Sequence, residues 1–415
     1  MTEAAAAILR EPKLARLFEA LAATGCETRV VGGAVRDALL GLLPHEFDLA
    51  TAATPQAVTQ AAENAGLKVA PTGLAHGTVT VVVDGAPFEV TTLREDVETY
   101  GRAAKVRFGA DFGRDAQRRD FTVNALSLAP DGTLYDYTGG REDLARRRIR
   151  FIGDPAIRIA EDHLRILRFF RFHATIGEGP IDAEGFHAAV AARDTLSLLS
   201  RERIRAELLK LLVVRGAART VGEMSRAGIF AAICGVAYPR RLERLVEIEA
   251  AQGRRSDAVL RLAALTVARR EDVERLRGDL RLSNGENDRL ARAATLVEAQ
   301  HGREAHFTLQ ELNELIFVNG RRGALDALAL LQADSSAAPD DPAWRGAAQF
   351  LETAPAPAFP LKAEDLMRRG LSPGRELGLA LKRLQAAWIR AGFPTEPRRV
   401  MQLLEEATRQ SDASR

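Results

Sequence analysis

Thr28-Arg29-Val30-Val31-Gly32-Gly33-Ala34-Val35-Arg36-Asp37 is followed, after a short connection, by Glu46-Phe47-Asp48-Leu49-Ala50. The β-branched run ending at Val31 reads as a strand, Gly32-Gly33 as a tight turn, and residues 34–40 as a helix. Glycines in that position let the backbone approach a phosphate, a helix N-terminus offers free N–H groups, and Arg36 adds a positive charge. A Gly-Gly turn is also an ordinary way to start a helix, and both readings stand at this point. The 46–50 segment reads as a second strand. Side chains alternate along a strand, so Glu46 and Asp48 share a face. Two adjacent oxygen ligands suit a pair of Mg²⁺ ions orienting a triphosphate and an attacking hydroxyl, although exposed strands often carry such pairs.

Outward from this core the strand signals continue. Residues 78–83 and 88–93 flank Asp84-Gly85 and predict a hairpin. Glu89 on its second strand is a candidate third carboxylate. Residues 94–117 are charged and weakly periodic, which predicts a long mobile loop. The last strand signals lie at 121–128 and 133–135. From about residue 155 the pattern turns helical, as in 157–172, 201–213 and 257–270. An Ala/Asp/Ser/Pro-rich break at 333–342 and a Pro/Ala connection at 354–360 separate the final helices. There is no internal repeat.

Within the 157–172 pattern lies Glu161-Asp162-His163-Leu164-Arg165. Residues three apart on a helix project from one face, so Asp162 and Arg165 present an acceptor beside a donor. Cytosine and adenine each offer an amino donor next to a bare ring nitrogen, the complement of that pair. Uracil and guanine offer the reverse order. A solvated ion pair is the alternative. Arg168 and Arg171 continue the same stripe at spacing three, and Glu161 stands four residues from Arg165, where it can brace it. Upstream, Arg118-Arg119-Asp120-Phe121-Thr122-Val123-Asn124 combines cations with hydrogen-bonding groups, suited to phosphate and ribose or to an ion-paired helix start.

At 415 residues, 46% hydrophobic and 27% charged, the chain predicts a globular protein of two to four domains. Cys26 and Cys234 fit neither a disulfide framework nor a zinc site. With no basic leader and no apolar run long enough for a membrane, a cytoplasmic location is the expectation. A net charge of +2 conceals an arginine stripe between Arg141 and Arg171, which modestly favours a polyanionic partner.

The order of these segments carries more than any one of them. The Gly-Gly-x-x-Arg-Asp turn, the carboxylate pair and the Arg-Arg-Asp-Phe-Thr-x-Asn segment come first. Asp136-Tyr137-Thr138-Gly139-Gly140-Arg141-Glu142-Asp143-Leu144, the Glu-Asp-x-x-Arg stretch and Ser200-Arg201-Glu202-Arg203-Ile204-Arg205-Ala206-Glu207-Leu208 follow. Across about residues 25 to 215 this succession resembles the class II tRNA nucleotidyltransferases, the CCA-adding enzymes, and the related bacterial poly(A) polymerases. The resemblance implies an α+β fold: a polymerase-β-like nucleotidyltransferase head (1–145), then an all-α neck (146–215), body (216–335) and tRNA-binding tail (336–415). It implies addition of C, C and A to tRNA 3′ ends from CTP and ATP, with Mg²⁺ as cofactor and tRNA as partner, and leaves the oligomeric state open.

By position, the resemblance assigns Gly33 and Arg36 to the triphosphate, with Gly32 beside them in the same turn, and Glu46 and Asp48 to Mg²⁺ and catalysis; Glu89 stays the candidate third carboxylate by its strand position alone. Arg119 and Asp120 go to ribose and phosphate, Asp162 and Arg165 to the base edge, and Arg168 and Arg171 complete the nucleotide site; Asn124, from the same segment as Arg119, is a further nucleotide-binding candidate. The 200–208 motif positions the neck helices. Two departures stand out. The family usually has Asp-x-Asp, where Glu46 here is longer by a methylene. Many relatives have Asp before Gly-Arg, where this chain has Tyr100-Gly101-Arg102. No His-Asp dipeptide occurs, so a fused phosphohydrolase domain is not expected. Poly(A) addition, CC-only or A-only addition, and a tRNA-binding protein with impaired catalysis are the alternative functions.

Overall fold

The computed structural model describes the chain except residues 1–5, 7, 45, 71–72, 74–76, 101–102, 110, 301, 304–305 and 413–415, with backbone alone for 95–100, 103–108 and 407–412. It is a mixed α+β fold in two compact units, Met1–Ala237 and Tyr238–Arg415.

The first unit is built on a mixed sheet. Its strands are β1 (Thr28–Val31), β2 (Asp48–Thr51), β3 (Lys68–Ala70), β4 (Thr78–Val83), β5 (Ala86–Thr92), and, beyond a separate hairpin, β8 (Ser127–Leu128) and β9 (Leu134–Tyr135). The sheet order is β3-β4-β5-β2-β1-β8-β9. Strands β1 and β2 pair antiparallel, whereas β2 and β5 run parallel with Asp48 opposite Glu89. The β4–β5 hairpin forms as its sequence predicts: Asp84 and Gly85 both take positive φ, which matches the twist of a two-residue turn. Helices α1 (Pro12–Ala22), α2 (Gly33–Leu39) and α3 (Pro55–Asn64) complete the sheet layer, with Leu14, Leu17, Val35 and Val58 buried.

Three local expectations are corrected. Residues 94–108 are not an irregular loop: β6 (Arg94–Tyr100) and β7 (Ala103–Phe108) pair as an antiparallel hairpin, followed by helix α4 (Phe112–Gln117). Charged residues can fill a two-stranded ribbon because neither face has to enter a core, so the sequence shows little hydrophobic alternation there. Gly101 and Arg102 lie outside the described residues. Next, the 46–50 strand starts only at Asp48, which leaves Glu46 and Phe47 in the approach. Finally, 121–128 is mostly not a strand. A 3-10 turn at Thr122–Asn124 precedes the two-residue β8.

The helical part of this unit begins with α5 (Gly140–Ala145), α6 (Pro155–Glu161), α7 (Arg165–Ile176), α8 (Ala183–Ala191) and α9 (Arg201–Leu212). The expected single helix over 157–172 is broken. Asp162 leaves α6 in an extended conformation (φ −152°, ψ 105°), and its carboxylate accepts the Leu164 N–H at 3.1 Å just before α7 starts. An aspartate can satisfy orphan N–H groups at a helix start, which is what lets the chain restart there.

An aromatic cluster joins the two parts. Phe121 is fully buried, with ring centroids 4.8 Å from Phe151, 5.4 Å from Phe172 and 6.2 Å from Phe169. Such contacts add about 0.5–1.5 kcal/mol each beyond area burial. Phe121 thereby fixes the Arg-Arg-Asp segment against α7.

The second unit is helical throughout its described residues. One core surrounds Trp344, with Leu312, Ile316, Leu328 and Leu351. Another surrounds Trp388, with Leu366, Leu384, Leu403 and Leu404, and the Trp388 Nε1–H donates to the Pro394 carbonyl at 2.8 Å. The breaks expected at 333–342 and 354–360 fall between Leu309–Asp334, Pro342–Thr353 and Ala363–Met367. No helix among the described residues is long and apolar enough to cross a membrane.

Candidate active site

A cavity of about 780 Å³ in the first unit collects every candidate residue named from the sequence. The sheet contributes Asp48 and Glu89, and the approach to β2 contributes Glu46; the β1–α2 turn and the start of α2 contribute Gly32, Gly33 and Arg36. Arg119, Asp120 and Asn124 come from the segment after α4. Asp162 and Arg165 flank the α6–α7 break, and Arg168 and Arg171 come from α7. The spacing argument for the pair Asp162 and Arg165 assumed one helical face. They reach a common cavity because the chain turns between them.

Asp48 and Glu89 lie in register on neighbouring parallel strands, and parallel partners place their side chains on one face. Burial, then the charge of Glu89, pushes the Asp48 carboxyl above the ordinary carboxylate range. Arg119 opposes that rise and Glu46 adds to it. Among the described residues none of these three carboxylates has a hydrogen-bonding or ion-pair partner. Clustered, unpaired carboxylates favour a bound cation. No three His, Cys, Asp or Glu side chains among the described residues converge into a ready-made metal site. Mg²⁺ ordinarily takes one or two carboxylates and completes its shell with water and substrate phosphate, so the donor set fits that ion rather than one needing a full protein cage.

The basic side of the cavity is tightly wired. Arg36 donates through Nη1 to Asn124 Oδ1 at 2.7 Å and through Nε to Asp37 at 2.8 Å. Arg119 reaches Asp115 Oδ2 at 3.3 Å and the Asn124 carbonyl at 3.3 Å. Gly32 has φ +71°, a conformation that favours glycine, and a Cβ there would crowd Arg119 Nη1 at 3.0 Å. Asp120 accepts from Arg168 at 2.8 and 2.5 Å, from Asn124 at 3.1 Å and from the Phe121 N–H at 2.9 Å. Burial opposes its ionisation, but Arg168 and these hydrogen bonds outweigh burial and hold its carboxyl below the usual range. Asp120 is therefore placed as the counter-ion that orients Arg168.

Asp162 accepts from Arg203 Nη2 through both oxygens, at 3.0 and 2.8 Å. Arg165 donates through Nη1 to Glu161 at 2.5 Å, the brace its spacing predicts, and to the Arg158 carbonyl at 2.8 Å. Arg171 pairs with Glu207 of α9. Sequence reasoning missed Phe172 and Arg94, whereas Arg118 belongs to the Arg-Arg-Asp segment it singled out. Phe172 lies under three guanidiniums, with Arg171 at 4.2 Å, Arg36 at 5.2 Å and Arg168 at 5.3 Å from the ring centroid. Arg118 and Arg94 also line the cavity. Phe172 follows Arg171 directly in the stripe, but a phenylalanine on a helix reads as core.

The Asp136–Leu144 motif supports the site from behind. Asp136 accepts four backbone N–H groups, of Thr138, Gly139, Gly140 and Arg141. Asp143 is buried and accepts from the Thr122 hydroxyl, Arg148 and Arg150. The turn after Phe121 is thus held through Asp143, which gathers the Thr122 hydroxyl and two arginines.

Comparison with known proteins places the chain in a family. Residues 28–150 match the Poly A polymerase head domain, and residues 180–234 match the probable RNA and SrmB-binding site of polymerase A. The chain is 32% identical to the mitochondrial CCA tRNA nucleotidyltransferase 1 of Danio rerio, over 92% of this chain and 88% of that protein. It is also 32% identical to the CCA-adding enzyme of Limosilactobacillus fermentum, over 90% of each. The fold superposes on the crystal structure of Bacillus stearothermophilus CCA-adding enzyme in complex with CTP with a TM-score of 0.77, at 28% identity and full coverage of both chains. The chain belongs to the CCA-adding enzymes, the tRNA nucleotidyltransferases.

Proposed function

We propose that the cavity holds CTP or ATP while a tRNA 3′-hydroxyl attacks the α-phosphate in line and pyrophosphate leaves, so that C, C and A are added in turn without a nucleic-acid template. The observation that carries this reading is the convergence, in one cavity, of unpaired carboxylates from β2 and β5 with the guanidiniums of Arg36, Arg119, Arg165, Arg168 and Arg171. Glu46 and Asp48, with Glu89 beside them, would hold Mg²⁺, which when bound neutralises phosphate charge and sharpens the attacking hydroxyl. Arg36 and Arg119 bind phosphate oxygens next to the Gly32-Gly33 turn. Asp120 and Asn124 hold Arg168 and Arg36 in place around the ribose and phosphates, and Arg171 closes that side. Asp162 accepts the base amino group and Arg165 donates to the ring nitrogen. Uracil and guanine would set donor against donor and acceptor against acceptor there.

Glu46 lines the same cavity as Asp48 despite its extra methylene, which supports catalysis rather than an inert binding protein. In this reading residues 1–145 form the head and 146–215 the neck, while the body (216–335) and tail (336–415) hold tRNA by its backbone shape. The two free cysteines, Cys26 and Cys234, fit a cytoplasmic location. The decisive experiment supplies purified protein with tRNA lacking its CCA end and labelled CTP and ATP, separately and together. CTP alone should add two residues, and both together three. Long A tails from ATP alone would mark a poly(A) polymerase, and no addition at all a binding protein.

A further inference from the structure

Arg158 is a buried charge that this chemistry does not use. Its Nη2 donates to two successive carbonyls, those of Arg118 and Arg119, in the segment assigned to phosphate and ribose. Its Nη1 donates at 2.5 Å to Glu161 Oε2, the same oxygen that accepts Arg165 Nη1 at 2.5 Å. The Arg158 carbonyl takes the second bond from that Arg165 nitrogen, at 2.8 Å. Both protons of Arg165 Nη1 are thereby committed, while Nη2 and Nε have no partner among the described residues. A guanidinium is a planar fork, so fixing one nitrogen at two points fixes where the remaining donors aim.

We propose that Arg158 is a positioning residue for base selection: by joining the Arg118–Arg119 backbone to Glu161, it sets the reach and angle of Arg165 toward the nucleobase. The relationship has a physical rationale in the break at Asp162. Because α6 ends at Glu161, helical continuity does not transmit the position of the Arg118–Arg119 segment to Arg165. Arg158 supplies that link through side chains, at the last turn before the break. A desolvated guanidinium is expensive to bury unless its bonds are made, and three of its bonds are to these carbonyls and this carboxylate. The proposal rests on Asp162 and Arg165 contacting the base.

The test compares Arg158→Lys, Glu161→Gln and Arg165→Ala in the full chain. Lysine keeps the charge but cannot reach two carbonyls and a carboxylate as a fork. Glutamine keeps the shape of Glu161 and removes the charge shared by the two arginines. The readouts are kcat/KM for CTP, ATP, UTP and GTP, binding of inorganic tripolyphosphate, and the melting temperature. Expected for both Arg158→Lys and Glu161→Gln are a rise in KM for CTP and ATP, a fall of about tenfold in discrimination against UTP and GTP, and tripolyphosphate binding within about twofold of wild type. Folded variants that lose kcat or tripolyphosphate binding with discrimination intact overturn the proposal, as does wild-type behaviour. If Arg158→Lys does not fold, Glu161→Gln alone decides by the same criteria. Arg165→Ala separates the two levels. If it leaves discrimination intact, the base-contact reading itself falls; if it relaxes discrimination while the other two do not, only the role of Arg158 falls.

Discussion

Asp48 and Glu89 stand opposite one another on adjacent parallel strands, and their repulsion, added to burial, keeps the Asp48 carboxyl reluctant to ionise. A site that stores negative charge in this way gains most when a cation or a cationic side chain enters it. Asp48→Asn is therefore expected to lower nucleotide addition by more than about a hundredfold, since loss of a direct ligand exceeds the 10–100-fold typical of an outer partner. Affinity for tRNA should stay within about twofold, because the helical body is untouched. Near wild-type turnover in a single-turnover extension assay would remove Asp48 from the metal site.

Glu46→Asp tests the departure from the usual Asp-x-Asp pair. Glu46 precedes β2 rather than lying in it, so its backbone has room to adjust to the longer side chain. The expected result is a turnover within about tenfold of wild type and an unchanged order of nucleotide preference. A Mg²⁺ titration checks it. A loss as deep as that of Asp48→Asn would mean that the approach to β2 is built around glutamate.

Asp162 and Arg203 supply a second test of base selection. Both oxygens of Asp162 accept from Arg203, so Arg203→Met should leave the carboxylate loosely aimed. Asp162→Ala and Arg165→Ala each leave a base-edge group unpaired, at a cost of about 1–3 kcal/mol, with selectivity against UTP and GTP falling in step. Arg203→Met should lose less selectivity than Asp162→Ala and leave triphosphate binding unchanged. Four-nucleotide competition assays decide this, and unchanged selectivity in the two alanine variants would return the pair to a structural role.

The polar residues named from the sequence all line one cavity, because polar chemistry at fixed spacing survives errors in secondary structure, whereas Phe172 and Arg94 in the same lining were not read. Asp162 and Arg165 meet in one cavity although the helix supposed to align them is broken. The break was not legible: Glu161-Asp162-His163-Leu164 contains neither Gly nor Pro, and the stop depends on the Asp162 carboxylate bonding Leu164 N–H and Arg203. The hairpin at 94–108 was missed for the opposite reason. Its strands are neighbours in the sequence and pair locally, and their charged residues give little of the alternating period that reveals a half-buried strand. Arg158 reads as one more arginine in a basic stripe, and only its bonds to Arg118 and Arg119 distinguish it.

The Asp120–Arg168 pair makes a pH prediction. The folded Asp120 carboxyl lies below its unfolded value of about 4, so its contribution to stability is present above that pH and is lost as pH falls through the lower folded value. In Arg168→Met the largest influence that lowers this carboxyl is gone while burial still opposes ionisation, so ionised Asp120 is held far less well at neutral pH. Breaking a buried pair in this way costs about 3–5 kcal/mol. Urea melts should show the gap between variant and wild type widest near pH 7 and narrowing below about pH 4. A gap of constant size across that range would mean that packing around Phe172, rather than charge, accounts for the loss.

We propose that the β6–β7 hairpin takes part in the change from C to A. It grows directly from the strand that carries Glu89: β5 ends at Thr92, Leu93 is tied to Thr51 and Gly109 by backbone hydrogen bonds, and Arg94, the first residue of β6, lines the cavity. Motion of the ribbon therefore reaches the nucleotide site through Arg94 with little slack. In the proposed reading adenine, the larger base, would need the Asp162 and Arg165 donors and acceptors displaced relative to the carboxylates, which calls for an element that can shift against the sheet. Shortening the ribbon by deleting residues around Tyr100 is expected to leave CC addition largely intact and to reduce the terminal A strongly. A passive surface turn would tolerate the same deletion, since loop-closure entropy changes little with a few residues. Sizing the products on a sequencing gel decides between them: equal loss of all three additions, or no loss, would remove the hairpin from the choice of base.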